Sequence, residues 1–314
     1  MADEMKLNDP WLVAVWPGMG NVALNAGVYL LAKLGMTAIA EFEAGDLFDI
    51  EHLEVKEGLI QTPRRPRNRF FGWKDPNSKR DLLLFVGEAQ PPLGKYRLCR
   101  QIIDYARGLG AQRVITFAAM ATEMRPESVS RIFAAATDEE GLSELKQLEM
   151  EVLKDGNIGG LNGVLLGAAA EAKMRGACLL GEMPHIFNQL PFPKASLAIL
   201  EIFTTLSGLE LDLGELADLA RDSEQQLGRL LARVEREFRR QQGGGEEEEY
   251  EPDIAEVVEE EEPTSPADRD RIETLFEEAE KDHTKAFELK QELDRLSLFK
   301  EYEDRFLDLF KKPE

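Results

Sequence analysis

The chain has 314 residues, of which 43% are hydrophobic and 31% charged, and its formal net charge is −22. This composition indicates a soluble globular protein, either one large α/β domain or two smaller ones. Residues 243–314 contain 26 acidic and 10 basic residues, a net charge of −16, so residues 1–242 carry only −6. This acidity argues against nucleic acid and anionic membranes as partners, and the acidic end suits either a basic protein surface or a solubilising tail.

The sequence gives no indication of export, membrane insertion or metal binding. No apolar run approaches the roughly 18 residues that span a bilayer, and residues 1–6 lack the apolar core of a signal peptide. Only two cysteines are present, Cys99 and Cys178, which is typical of reduced thiols in a cytoplasmic protein. The histidines His52, His185 and His283 are scattered without metal-ligand spacing, so we expect no metal and no cofactor.

The first predicted element, and the one around which the others are arranged, is a buried strand at residues 11–16. The turn Pro17-Gly18-Met19-Gly20 ends this strand, and Asn21 can cap a helix that runs to about Leu34. Further along the chain, the patterns predict strands at 37–42, 55–61, 81–87, 113–118, 129–136 and 177–180. They predict helices at 96–109, from 138 to about 152, from about 163 to 173, at 193–206 and at 212–240.

Strands that alternate with helices of ten to fifteen residues imply right-handed crossovers. The predicted fold is therefore a three-layer α/β domain with a mainly parallel sheet of six or seven strands, covering residues 1–242. Residues 243–264 form an acidic linker that cannot bury enough apolar surface to fold. Residues 265–314 then form an amphipathic helix or helical hairpin, with Ser265 as N-cap and Pro266 at the first helical position.

The aromatic side of the C-terminal segment includes Phe299, Tyr302 and Phe306, which we expect to be covered. The segment either folds back onto the body, joins a second copy of the chain, or docks on a foreign partner. Arg64 begins a loop with four arginines in six positions, at residues 64–69. A solvated loop, a salt-bridged interface and a phosphate site all remain open for this loop.

The carboxyl edge of the sheet is the predicted place for a ligand. The turn formed by Pro17, Gly18, Met19, Gly20 and Asn21 presents free helix amides that suit an anion or a polypeptide backbone. Its Gly18-x-Gly20-x-x-Ala23 spacing also matches a relaxed dinucleotide fingerprint.

Two further carboxylates are expected at the same edge. Glu88 and Glu182 each follow a strand-ending glycine, and each precedes a proline within three residues. Both glutamates should emerge beside the glycine turn, where they could perform acid–base chemistry, hold a ligand hydroxyl, or simply cap backbone amides.

Four segments together resemble the PAC2 family, named after proteasome assembly chaperone 2. They are 16–22 (WPGMGNV), 81–91 (DLLLFVGEAQP), 157–163 (NIGGLNG) and 178–184 (CLLGEMP), and the resemblance runs from about Leu12 to Leu219. It implies a phosphorylase/hydrolase-like α/β fold similar to purine nucleoside phosphorylases. Relatives that assist proteasome assembly often end in a hydrophobic-Tyr-any tripeptide; this chain ends Phe310-Lys-Lys-Pro-Glu314, so the resemblance does not imply that binding mode.

Two functions follow from these expectations. The first is a non-catalytic, homo-oligomeric protein that binds other proteins in the manner of an assembly chaperone, with proteasome-type subunits as possible partners. The second is an enzyme or small-ligand sensor, in which the Gly18 and Gly20 amides hold an anion and Glu88 and Glu182 contact a ribose or an amine. No complete catalytic constellation is present, which favours the first function.

Overall fold

A computed structural model describes residues 6–42, 45–49, 53, 55–56, 58–61, 64–77, 80–148, 150–242 and 265–311. The predicted acidic linker at 243–264 and His52 lie outside these residues, and the predicted domain boundaries stay a prediction. The strands, in chain order, are β1 (Trp11–Val15), β2 (Thr37–Phe42), β3 (Val55–Lys56), β4 (Leu59–Ile60), β5 (Asn68–Trp73), β6 (Leu82–Gly87), β7 (Arg113–Thr122), β8 (Ile132–Ala136), β9 (Glu151–Val152) and β10 (Arg175–Pro184).

The helices alternate with the strands through most of the chain. They are α1 (Val22–Lys33), α2 (Lys95–Gly108), α3 (Glu139–Gln147), α4 (Gly160–Glu171), α5 (Pro193–Ser207), α6 (Gly214–Gln242), α7 (Pro266–Lys281), α8 (Ala286–Arg295) and α9 (Phe299–Asp308). Within the described residues, no helix is both long enough and apolar enough to cross a membrane.

Four parallel strands form the centre of an eight-stranded sheet with the order β2-β5-β6-β1-β7-β10-β8-β9. β6, β1, β7 and β10 run parallel, while β5 is antiparallel to both of its neighbours and β8 is antiparallel to β10. Their near-continuous burial fits parallel strands that are covered on both faces. The mainly parallel α/β sandwich is therefore confirmed, with eight strands rather than six or seven.

The two faces of the sheet have separate apolar cores. Leu98, Ile102 and Leu165 of α2 and α4 pack on one face. The other face is covered by α1, α5, α6 and the C-terminal helices, whose side chains form a single buried cluster. Every residue of α1 from Val22 to Ala32 is buried, so this helix lies in the middle of that layer rather than at the surface.

Several predicted boundaries were wrong. β10 continues through Gly181 and Glu182 to Pro184, because β7 also extends to Thr122 and pairs with it along its whole length. The segment predicted as one strand at 55–61 contains two two-residue strands in a hairpin. Residues 68–73 were not predicted as a strand, yet β5 is buried between β2 and β6.

The C-terminal segment has three helices, α7, α8 and α9, where one helix or a hairpin was predicted. Ser265 caps α7 in a capping box with Asp268, and Pro266 occupies the first turn, which confirms the predicted helix start. Phe287 of α8 lies edge-on to Tyr29 of α1, with ring centroids 4.6 Å apart. The helices therefore fold back onto the body of the same chain.

Candidate functional site

The glycine turn after β1 lies at the carboxyl edge of the sheet and is partly exposed. Gly18 is open to solvent and Met19 is 44% exposed, whereas Gly20 is buried. Gly20 has φ +59°, and a Cβ at this position would lie 2.8 Å from the Met183 Cε. Its N–H donates to the Asn188 carbonyl at 2.8 Å. The turn is thus fixed against β10 and the loop that follows it, and it presents Met19 outward.

The start of α1 differs from the prediction. Asn21 has φ 49° and ψ 22°, in the left-handed region, and its side chain makes no capping hydrogen bond. An N-cap side chain reaches the first helical amides from an extended backbone, so this conformation removes Asn21 as the predicted cap. Val22 and Ala23 are also buried, which covers the first turn of the helix.

Gln90 joins the glycine turn to a second loop and was not among the predicted site residues. Its Nε2 donates to the Pro17 carbonyl at 3.1 Å, and its Oε1 accepts the Leu161 N–H at 3.1 Å. Gly160 has φ +68°, and a Cβ there would lie 2.6 Å from the Gln90 Oε1, so glycine allows this approach. Gln90 lies in the Glu88-Ala-Gln-Pro motif, and its nearness to the predicted glutamate is the signal in the sequence that could have identified it.

Glu88 is buried beneath arginine side chains from the loop that precedes β5. Its Oε2 accepts hydrogen bonds from the Arg64 Nη2 at 2.8 Å and from the Arg67 N–H at 3.0 Å. The Arg69 Nη2 lies 3.7 Å from its Oε1. The residue is only 1% exposed. Its carboxylate therefore faces the protein's own cations and not an open cleft.

The C-terminal helix α9 closes over this arginine loop through Asp304. The Asp304 carboxylate accepts hydrogen bonds from the Arg64 Nε at 2.6 Å, the Arg67 Nη1 at 3.1 Å and the Arg69 Nη2 at 2.6 Å. Lys300 of the same helix donates to the Glu88 carbonyl at 2.9 Å. We call Arg64, Arg67, Arg69 and Asp304 the ionic latch. Arg64, a candidate interaction residue, thus lies in a salt-bridged interface within the chain.

The pKa values of Asp304 in the ionic latch and of the neighbouring Glu88 are shifted in opposite directions. Burial raises the pKa of Glu88 to about 7, against the opposing hydrogen bond from the Arg67 N–H. Burial also tends to raise the pKa of Asp304, but the hydrogen bonds from Arg64 and Arg67 lower it overall. Asp304 is therefore the permanent anion of the latch, and Glu88 is the group that titrates near neutral pH.

The three predicted aromatic interaction residues belong to the packing of α9. Phe306 is fully buried, and its ring lies 5.5 Å from Phe299 and 5.9 Å from Phe310. Tyr302 is half-buried, and its ring lies 5.8 Å from that of Phe276. These side chains hold the C-terminal helices together and against the body, so their place in the described structure is inside one chain.

Glu182 is held by a different arginine. The Arg131 guanidinium contacts both carboxylate oxygens, with Nε–Oε2 at 2.8 Å and Nη2–Oε1 at 2.6 Å. The Thr122 hydroxyl also donates to Oε1 at 2.7 Å. The hydrogen bonds from Arg131 lower the pKa of Glu182, which is 2% exposed. Glu182 is therefore an ionised and fully engaged group that ties β10 to the segment before β8.

The turn at 17–21, Glu88 and Glu182 all lie toward the carboxyl edge, as the topology predicted, but the two glutamates are not neighbours. β1 and β7 separate β6 from β10. Three strand spacings put Glu88 and Glu182 about 14 Å apart across the sheet. Each has its own arginine partners, so the arrangement is not that of a catalytic carboxylate pair.

The exposed large apolar side chains all lie in segments at the carboxyl edge of the sheet. Every large hydrophobic residue that the described structure exposes lies in a segment that leaves or enters the sheet at its carboxyl edge. These segments are the turn after β1, the connection from β2 to β5, the connection from β6 into the first turn of α2, and the connection from β7 to β8. These residues are Met19, Leu53, Val55, Leu59, Ile60, Leu93, Tyr96 and Val129. We call this set the carboxyl-edge apolar surface. These side chains are spread along this edge of the sheet, and an edge that exposes several apolar side chains is a candidate surface for contact with another protein.

The described residues offer little for metal or thiol chemistry. They contain no group of three histidine, cysteine, aspartate or glutamate side chains that could hold a metal ion. Cys99 and Cys178 are unpaired and buried, and burial raises the pKa of each thiol to about 12. A thiol with so high a pKa is a poor nucleophile.

Comparisons with known proteins give one consistent result. The model of the PAC2 family matches residues 12–231. The crystal structure of PbaB, an archaeal proteasome activator from Pyrococcus furiosus, is similar at 27% identity and a TM-score of 0.60, covering 73% of this chain and 94% of PbaB. PbaA from the same organism, a homolog of proteasome-assembly chaperone, is similar at 26% identity and a TM-score of 0.56, covering 74% of this chain and 96% of PbaA.

A relative from a second archaeon extends this result. An uncharacterized protein of Methanocaldococcus jannaschii is 27% identical over 226 residues, which cover 71% of this chain and 83% of that protein. The family match spans more than two thirds of the chain, from the start of β1 into α6. It leaves the C-terminal helices α7 to α9 outside the matched region. On this match and on the shared fold, the chain belongs to the PAC2 family.

Proposed function

We propose that this protein is a non-catalytic, assembly-chaperone-like protein that binds subunits of proteasome-type complexes and forms homo-oligomers. The observation that carries the proposal is the carboxyl-edge apolar surface. Leu59 and Ile60 in the β3–β4 hairpin are 69% and 71% exposed, and Val129 before β8 is 82% exposed. A chain that leaves these side chains in water gains free energy when a partner covers them.

The electrostatics of the same edge support protein binding over small-ligand chemistry. Glu88 and Glu182, which would contact a ribose or an amine in the alternative function, accept hydrogen bonds from Arg64 and Arg131 instead. A ligand would have to displace these charge-assisted bonds, which are stronger than neutral ones. The first turn of α1 is also buried, so its amides are covered by protein.

The relatives suggest the class of partner. PbaB is a proteasome activator and PbaA is a homolog of a proteasome-assembly chaperone. Since these two are 26–27% identical to this chain and share its fold, proteasome-type subunits are the first partners to test. A cytoplasmic location belongs to the proposal, because the two cysteines are unpaired and such complexes act inside the cell.

The test is complex formation between the full chain and purified proteasome-type subunits, followed by light scattering and native mass spectrometry. Met19→Glu and Ile60→Glu each place a charge on the carboxyl-edge apolar surface. Gln226→Glu adds the same charge at an exposed position of α6 and is the matched control. We expect each of the first two variants to weaken binding by about tenfold or more, and the control to leave it unchanged.

Two results would count against the proposal. If no subunit forms a complex with the wild-type chain, the partner class is wrong. If the control weakens a complex as much as Ile60→Glu does, binding depends on net charge and not on this surface. The same light-scattering experiment gives the mass of the free chain, and a monomer at micromolar concentration would remove the homo-oligomer from the proposal.

A further inference from the structure

A large polar cavity lies at the opposite, amino-terminal edge of the sheet. Its volume is about 710 Å³, and it is lined in part by Trp11, Arg113 and Arg175, the first residues of β1, β7 and β10. This size is within the range of small-molecule sites. The cavity is separate from the carboxyl-edge apolar surface, because the parallel strands place their two ends on opposite sides of the molecule.

The cavity is basic, although the chain as a whole is strongly acidic. Its lining contains four cations, Arg80, Arg113, Lys173 and Arg175, and a single carboxylate, that of Glu144. The formal charge of the lining is therefore +3, in a chain whose net charge is −22. In a chain with a strongly negative net charge, four cations around one cavity are a local concentration of positive charge that the overall composition does not explain.

The floor of the cavity is a buried arginine whose hydrogen-bonding capacity is not fully used. The Arg113 side chain is 7% exposed, and its Nη1 lies 2.7 Å from the Glu144 Oε2. Its Nε is buried and has no hydrogen-bond partner in the described part of the chain. A buried guanidinium N–H without an acceptor is costly, so an acceptor supplied from the cavity would be favourable.

Arg80 lies beside this floor without an acid to neutralise it. Its guanidinium is 3.9 Å from the centroid of the Trp11 ring, and that of Arg113 is 4.6 Å from the same ring. Glu144 and Asp9 attract Arg80 at longer range, but it forms no ion pair with any residue that the structure describes. Two guanidinium groups on one indole repel each other, and an anion held in the cavity that both of them line would offset that repulsion.

The rim of the cavity carries two exposed cations. Arg175 is paired with Glu140, whereas Lys173 forms no ion pair within the described ranges. Lys173 has φ +55°, a left-handed conformation just after α4 that favours glycine over residues with a side chain. Lys173 therefore occupies a position where glycine would be less strained, and its ammonium group can attract an anion that enters the cavity.

We propose that this cavity binds a small multivalent oxyanion, with phosphoryl or carboxylate groups, between Arg80, Arg113 and Lys173. Planar guanidinium groups match the paired oxygens of phosphate and carboxylate, and the lysine adds a point charge at the entrance. Glu144, which also lines the cavity, orients Arg113 through their ion pair. The site is independent of the proposed protein-binding surface, and it would let the protein sense or carry a polyanionic metabolite.

The test is isothermal titration calorimetry of the full chain with pyrophosphate and, separately, with citrate. Arg80→Gln removes one charge from the cavity. Lys173→Gly removes another while replacing a left-handed lysine by the residue that this conformation favours, so loss of folding is not expected. Arg233→Gln, at an exposed position of α6, makes the same change of net charge away from the cavity.

We expect saturable binding of at least one probe, weakened about tenfold or more by Arg80→Gln and by Lys173→Gly, and unchanged by Arg233→Gln. Tighter binding of pyrophosphate would assign the site to phosphoryl ligands, and tighter binding of citrate to carboxylates. Dissociation constants weaker than about 1 mM for both probes would overturn the proposal. Equal weakening by Arg233→Gln would also overturn it, because the effect would then be one of net charge.

Discussion

The ionic latch makes Asp304→Asn the most informative single substitution in the C-terminal helices. The change keeps the size and shape of the side chain and removes the charge that faces Arg64, Arg67 and Arg69. The Arg69 side chain is 3% exposed, and its Nη2 lies 2.6 Å from the Asp304 Oδ1. We therefore expect the substitution to leave a nearly buried guanidinium short of its closest anion.

The size of the effect follows from the burial of the two partners. Removing one member of a buried ion pair costs about 3–5 kcal/mol of unfolding free energy, whereas an exposed pair is worth about 0–1 kcal/mol. Asp304 is 34% exposed, and Asp308 and Glu88 lie 3.4 and 3.7 Å from the same Arg69 atom, so part of the attraction is retained. The expected loss is intermediate, about 2 kcal/mol.

The assay is urea unfolding of the full chain followed by circular dichroism, in which this loss lowers the midpoint by roughly 0.7–1 M. Asp308→Asn is the matched control, since Asp308 is on the same helix, is 38% exposed and faces the same arginines at 3.4–3.5 Å. We expect the control to cost less than about 1 kcal/mol. If Asp304→Asn is as stable as the wild type, the latch adds nothing and the apolar contacts alone hold α9; if the two variants lose equal stability, the shorter Asp304 contacts have no special role.

Phe306→Ala removes a fully buried ring from α9 and should lower the free energy of unfolding by about 3–5 kcal/mol in urea. The control Leu93→Ala, at a position 70% exposed, should change it by no more than about 0.5 kcal/mol. Similar losses for the two variants would contradict the inward packing of α9. The pKa of Glu88 is raised from 4.5 to about 7, so the folded chain holds this proton at pH values where the unfolded chain has released it. This contribution to stability is fully present below pH 4.5 and is lost as the pH rises through 7, a fall on the order of a few kcal/mol. Burial also raises the pKa of Glu303, so Glu88→Gln should reduce this fall without removing it. The lowered pKa values of Asp304 and Glu182 act at lower pH, and a wild-type stability that stays flat from pH 5 to 8 would refute this reasoning. Gly20→Ala should lower stability by about 1–3 kcal/mol in urea unfolding, because a Cβ would lie 2.8 Å from the Met183 Cε at φ +59°. In the same assay Gly18→Ala should be close to neutral, since its Cβ meets no atom within 4 Å.

The elements that could be predicted from the sequence are those with a strong local signal. β6 is a continuous apolar run and β1 ends at Pro17-Gly18, so both strands were placed within about a residue or two. The start of α7 carried its own signal in Ser265 and Pro266. Because β1, β6 and β10 are separated by helical crossovers, their parallel direction and the common edge of their turns also followed from the sequence.

The elements that could not be predicted depend on contacts between distant residues. β5 follows an arginine-rich loop and has no clean alternation, and it becomes a strand because β2 and β6 pair with it on both sides. The glycine at 181 predicts a strand end, but pairing with the long β7 extends β10 to Pro184, four residues beyond the predicted end at Leu180. Tertiary pairing decided both cases against the local pattern.

The residues that engage the predicted glutamates were missed for the same reason. Asp304 lies 240 positions from Arg64 and Arg131 lies 51 positions from Glu182, and no local spacing connects either pair. Gln90 lies in the Glu88-Ala-Gln-Pro segment, but only the three-dimensional structure shows that it bridges the Pro17 and Leu161 loops. The position of Glu88 and Glu182 at the carboxyl edge therefore followed from the sequence, whereas the partners of their carboxylates did not, and a ligand at this edge stays a prediction.

Hydrogen–deuterium exchange of the full chain, alone and mixed with purified proteasome-type subunits, tests the proposed function most directly. The proposed function predicts that the partner slows exchange in the loops that carry the carboxyl-edge apolar surface, at 17–21, 53–61, 88–96 and 123–131. Exchange at the amino-terminal edge, around 110–113 and 172–175, should be the same in both samples. Slower exchange confined to the amino-terminal edge or to α7–α9, or no change anywhere, would contradict it.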